Sequence, residues 1–189
     1  MNEAILKLQS WSRSERTILK CLISMVFAFL MVFAAEIRIP LPFTPIPMTL
    51  QTFIAPLAGA FLGAAWGASS MLLYMALGIA GLNVFAAAPD GFGFFLAPSA
   101  GYVFGFVFAA ALLGFVKDRT TKNFLLLGGL LLSHVVIFAC GVAGLMVNTG
   151  MSLLEAFAKG VAPFLIGDVF KISASYLVLA TYNRLRKNS

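Results

Sequence analysis

The 189-residue chain is 61% hydrophobic and only 11% charged, with a mean hydropathy of +0.98 and a formal net charge of +6. A soluble domain carries roughly 25% charged residues, so a water-soluble globule is excluded and most of the surface must face lipid. Spans of about 20 residues each occupy most of such a chain and leave no room for a separate soluble domain.

Residues 1–16 are polar, with Ala4, Ile5, Leu8 and Trp11 at helical spacing, and read as a short helix lying on the membrane surface. The stretch precedes the apolar run and is not expected to be a cleaved signal. A first span is expected over about 18–35, closed by Glu36, Ile37 and Arg38. Between Ile39 and Pro47 stand four prolines. Each lacks an amide donor, so this apolar loop is not helical and should pack into the outer face. Spans follow at about 48–62 and 67–82, joined through Gly63 to Trp66 and short enough to imply tilt or thinning. Residues 83–97 are irregular, with turn chemistry at Pro89, Asp90 and Gly91. The fourth span starts at Pro98, a favoured first helical residue, and ends near 116; the fifth covers about 124–147. A small helix at 152–159 leads into the sixth span, about 161–182. The fold class expected is therefore all-α: one transmembrane domain, 1–189, of six helices.

Cations set the orientation. With the N-terminus inside, Lys7, Arg13, Arg16, Lys20, Lys117, Arg119, Lys122, Arg184, Arg186 and Lys187 are cytoplasmic, and only Arg38 and Lys159 are outside. By the positive-inside rule both termini are cytoplasmic. Cys21 and Cys140 then fall toward opposite faces, too far apart to bridge. The lone His134 reads as a packed imidazole, and no metal site is expected.

Asp168 and Lys171 lie inside the last span, where ionisable groups are costly and face the bundle interior or a watery cavity. Three residues apart, they share one helix face. Asp168 lies about 10 Å below the outer start of its span. Gln51, Thr52, Asn83, Ser99 and Tyr102 fall at the same outer depth, where the start of the fourth span also presents free amides. Phe85, Phe94 and Tyr74 are placed to wall an apolar body. This layer suits a small ligand with a polar head. No phosphate-binding glycine loop and no nucleophile–base pair is present, so no enzyme activity, no cofactor and no nucleic-acid partner is expected.

Four segments carry a resemblance: Ile37 to Thr52, Leu77 to Ala86, Ala97 to Phe106, and Pro163 to Lys171. In this order they resemble the BioY family, the biotin-specific S components of energy-coupling-factor (ECF) transporters. The resemblance implies a six-helix bundle in the bacterial plasma membrane that captures biotin from outside. It implies a transmembrane scaffold protein and two cytosolic ATPase subunits as partners. It implies biotin contacts at Asn83, Asp168 and Lys171, then Gln51, Phe85 and Tyr102, with Tyr74 and Ser99 beside them. Ser24 and Ala28 form a small-xxx-small pair that would dock on the scaffold. Two other readings stay open: a stand-alone secondary transporter or facilitator with Asp168 as an ion relay, and an S component for another vitamin.

Overall fold

The computed structural model describes residues 12–187, so residues 1–11 of the surface helix expected over 1–16 lie outside the described residues. Helix α1, Arg13–Glu36, starts at Ser12. The Glu15 amide donates to the Ser12 hydroxyl at 3.2 Å, and the Ser12 amide donates to the Glu15 carboxylate at 2.7 Å. This reciprocal cap satisfies two of the amides left open at a helix start. It also corrects a boundary: residues 13–16 belong to the long apolar helix, not to a separate surface segment.

The proline-rich segment is non-helical, but its ends pair. Strand β1, Arg38–Ile39, lies antiparallel to β2, Met48–Thr49, and the four prolines fall between them, where no ladder needs their amides. Helices α2, Gln51–Leu62, and α3, Ala64–Ile79, meet at Gly63, whose φ of 84° favours glycine. A 3-10 turn, Gly91–Leu96, precedes α4, Ala100–Arg119, and α5, Asn123–Thr149. The short α6, Leu153–Gly160, and a 3-10 turn, Ala162–Phe164, lead to α7, Leu165–Lys187.

Four helical stretches among the described residues are long and apolar enough to cross a membrane: Ser14–Glu36, Ala100–Arg119, Asn123–Thr149 and Leu153–Arg186. Helices α2 and α3, with 12 and 16 residues, reach about 18 and 24 Å. Both fall short of a hydrocarbon layer of about 30 Å. Exposed Ile18, Leu22, Met25, Phe29 and Phe33 cover the outward side of α1. Such a surface is stable against lipid and not against water.

Helix α4 is central, packed on α2, α3 and α5. A Cβ built on Gly59 falls 1.8 Å from the Ala110 carbonyl oxygen, and one on Gly101 falls 2.2 Å from that of Cys140. Small residues thus let backbones touch, the close packing by which helices associate in lipid. The same logic corrects the expected docking pair. Ser24 and Ala28 are only 5% and 1% exposed, and the Ser24 hydroxyl donates to the Trp66 carbonyl at 3.4 Å. They hold α1 against α3 inside the bundle and present no surface to a scaffold. Cys21 and Cys140 are both free thiols.

Candidate ligand-binding site

The starts of α2, α4 and α7 gather at one end of the bundle beneath the two irregular loops. One turn apart on α7, Asp168 and Lys171 are 3% and 9% exposed. The Lys171 ammonium donates to Asp168 Oδ1 at 2.7 Å and to Thr52 Oγ1 at 2.9 Å. The Thr52 hydroxyl in turn donates to Asp168 Oδ1 at 3.2 Å. A buried charge pair is tolerable only when such extra hydrogen bonds compensate for lost hydration. Thr52 sits four residues before Pro56, which has no amide to offer the Thr52 carbonyl. That turn of α2 therefore keeps an acceptor outside the helix ladder.

His134 of α5 stands against the same carboxylate. Its Nδ1 lies 3.0 Å from the Leu130 carbonyl oxygen, and its Nε2 lies 4.0 Å from Asp168 Oδ2. Neither Nε2 nor Oδ2 has a hydrogen-bond partner. An unmet buried acceptor costs about 1–3 kcal/mol. Asp168 thus holds one oxygen ready for an incoming donor. Lys171, with three ammonium hydrogens and two acceptors engaged, holds one donor ready.

Neutral ties fix the walls. Gln51 donates to the Tyr74 hydroxyl at 2.7 Å, and that hydroxyl donates to the Val84 carbonyl at 3.1 Å. Tyr102 donates to the Gly160 carbonyl at 2.7 Å, and Ser99 to the Ala87 carbonyl at 3.2 Å. Phe85 lies edge-on to Tyr74 with centroids 5.6 Å apart and stacks on Phe94 at 4.4 Å. Above, the Arg38 guanidinium donates to the Ala86 carbonyl at 2.6 Å, clasping the first loop to the second. These groups enclose a cavity of about 50 Å³, room for roughly four waters. Small-molecule pockets span roughly 300–1,000 Å³. An organic guest must therefore part the covering loops at Ile46, Pro47, Ala86 and Ala87.

Gln51, Tyr74, Phe85, Ser99, Tyr102, Asp168 and Lys171 all line this cavity. Asn83 does not. It is exposed, while Val84 and Phe85, which follow it after the positive-φ turn at Gly81, are buried. Thr52, read only as one of the polar residues at this depth, completes the charged pair. Phe106, Phe138 and Phe164 also line the cavity, but aromatics in so apolar a chain give no distinguishing signal. The pairing of His134 with Asp168 is purely tertiary.

The sequence profile of the BioY family matches residues 7–188. The biotin transporter BioY of Rhodobacter capsulatus is 34% identical over 163 residues, covering 80% of this chain and 85% of that protein. The biotin transporter BioY of Thermotoga maritima is 31% identical over 160 residues, covering 85% and 93%. A crystal structure of the S-component for biotin from an ECF-type ABC transporter superposes with a TM-score of 0.81 at 26% identity, covering 94% of this chain and 95% of that one.

Proposed function

The chain belongs to the BioY family, and on that premise we propose that it is the biotin-binding S component of a vitamin importer, not an enzyme. It forms a single transmembrane domain of the bacterial plasma membrane, in which α1 to α5 and α7 make six crossings, the bilayer thinning beside the short α2 and α3, and both termini are cytoplasmic. The asymmetry of cations supports that orientation. The chain holds no ATP-binding loop, so uphill transport draws on a scaffold protein and two cytosolic ATPase subunits.

One observation carries the ligand reading: a buried acid–base pair with one acceptor and one donor left over. The ureido ring of biotin offers the complement, an N–H beside a carbonyl. Asp168 Oδ2 accepts the N–H and the Lys171 ammonium donates to the carbonyl. Phe85, Phe138 and Phe164 receive the apolar ring and chain. A panel of vitamins added to the purified protein tests this. Biotin at a hundred times its Kd should stabilise the fold by about 2.7 kcal/mol, seen as a higher unfolding temperature. A shift with another vitamin and none with biotin would overturn the assignment.

The clasp from Arg38 to Ala86 gives a kinetic expectation. Arg38→Ala removes about 1 kcal/mol of loop-to-loop bonding, so biotin should leave about fivefold faster in a washout assay. An unchanged off-rate would mean that the two loops do not gate the cavity.

The carboxylate with His134 at 4.0 Å also favours a second reading, a stand-alone carrier relaying protons. Vesicles lacking any ATPase would then accumulate biotin under a pH gradient. Under the S-component reading they would not.

A further inference from the structure

We propose that the end of the bundle opposite the biotin cavity binds an anionic phospholipid, its phosphate in a basic cleft and an acyl chain in the apolar groove alongside. The cleft, about 710 Å³, lies where the start of α1, the junction of α2 and α3, and the ends of α4 and α7 come together. Among the described residues, Lys20, Lys117, Arg119 and Arg186 line it, against one carboxylate, Asp118. That carboxylate already faces the Ala64 amide at 3.4 Å, capping the start of α3. Among the described residues none of the four cations is in an ion pair; both pairs found involve Asp168. Arg186 and Lys117, of like charge, both line the cleft. Among the described residues, four cations thus gather here against a single carboxylate.

Lys117 is not a free surface lysine. Its ammonium donates to Asn183 Oδ1 at 2.5 Å, and Asn183, only 5% exposed, is itself held by the Thr121 carbonyl at 3.4 Å and Asn123 Oδ1 at 3.3 Å. One wall of the cleft is therefore built in place. Charge-assisted hydrogen bonds from such cations suit a phosphate.

The neighbouring surface decides between a lipid and a free anion. Arg119 and Thr120 line both the cleft and a second hollow of about 580 Å³, walled by Phe115, Val116, Phe124 and Leu125. The Arg119 guanidinium lies over the Phe115 ring, 3.3 Å from its centroid, at the seam between polar and apolar halves. Phe124 is 82% exposed, and a Cβ on Gly128 would meet nothing within 4 Å, so the groove is open along α5. A phosphate alone would leave this groove unfilled. An amphiphile with an anionic head fills both. Basic pockets between helices at the cytoplasmic interface are where such headgroups bind, and the proposed orientation puts the cleft in that leaflet.

The test uses the full chain in detergent, by native mass spectrometry and thermal unfolding. Phosphatidylglycerol should be retained and raise the unfolding temperature, while phosphatidylcholine of identical chains should bind about tenfold more weakly or worse. Inorganic phosphate should do little. A double variant, Lys20→Gln with Arg186→Gln, changes two exposed residues remote from the biotin cavity. It should lose about tenfold in phosphatidylglycerol affinity with its biotin response intact. Gly128→Leu, filling the groove, should also weaken lipid retention. Equal binding of both lipids would overturn the proposal, as would equal stabilisation by inorganic phosphate or an unaffected double variant. So would a double variant that keeps its lipid and loses only its hold on a co-expressed membrane scaffold, which would make the cleft a protein-docking surface. None of the overturning outcomes depends on whether biotin is the ligand.

Discussion

Asp168→Asn is expected to weaken biotin binding by about a hundredfold, the loss of a hydrogen bond to a charged partner worth about 1.5–3 kcal/mol. The amide replaces one acceptor oxygen by an N–H₂ group. Whichever way it turns, either the bonds from Thr52 and Lys171 or the free acceptor at the Oδ2 position is lost. The substitution also leaves the Lys171 ammonium buried without its counter-ion, and breaking a buried pair from one side costs about 3–5 kcal/mol. That part weakens the ligand-free protein too. The two effects separate cleanly: calorimetric titration reads the affinity, and thermal unfolding without biotin reads the stability. An affinity within threefold of the parent protein would remove Asp168 from the site.

Gly59→Val should prevent the bundle from closing. The added Cβ would lie 1.8 Å from the Ala110 carbonyl oxygen, and a Cβ on Gly67 would lie 2.4 Å from the Gly59 Cα. Backbone stands on both sides, so no side chain can yield. Overpacking a core costs about 1–3 kcal/mol when side chains shift, and more when helices must. Helix α2 would be pushed off α4, taking Gln51 and Thr52 with it, so stability and biotin binding should fail together. Size-exclusion profiles and unfolding temperatures measure the effect. Gly128→Ala serves as the control, since open space surrounds it; its stability should change by no more than about 0.5 kcal/mol. A monodisperse Gly59→Val protein with normal biotin binding would refute the packing argument.

The sequence was most legible where physics leaves little choice. An acid and a base inside an apolar helix have few stable environments, and Asp168 and Lys171 are found paired in the cavity wall. Depth along the helices was enough to bring Gln51, Tyr74, Ser99 and Tyr102 to that cavity. What depth does not give is direction. Asn83 has the right depth yet is exposed, in an irregular turn whose next two residues, Val84 and Phe85, are buried instead. Ser24 and Ala28 failed for a related reason: where nearly every residue is apolar, composition does not reveal which side of a helix meets lipid. The ladder between β1 and β2 was hidden by the prolines that separate its strands. His134 meets Asp168 across two helices, a proximity that only the assembled bundle creates.

The proline-rich loop over the cavity has a further effect on affinity. With four φ angles preset by ring closure and its two ends pinned by the ladder, the segment has little conformational freedom left for a guest to remove. Less of the intrinsic attraction is spent on ordering it. The stiffness of that cover would favour tight capture, and swapping Pro40, Pro42 and Pro45, none of which lines the cavity, for alanine should loosen binding while leaving the cavity lining in place.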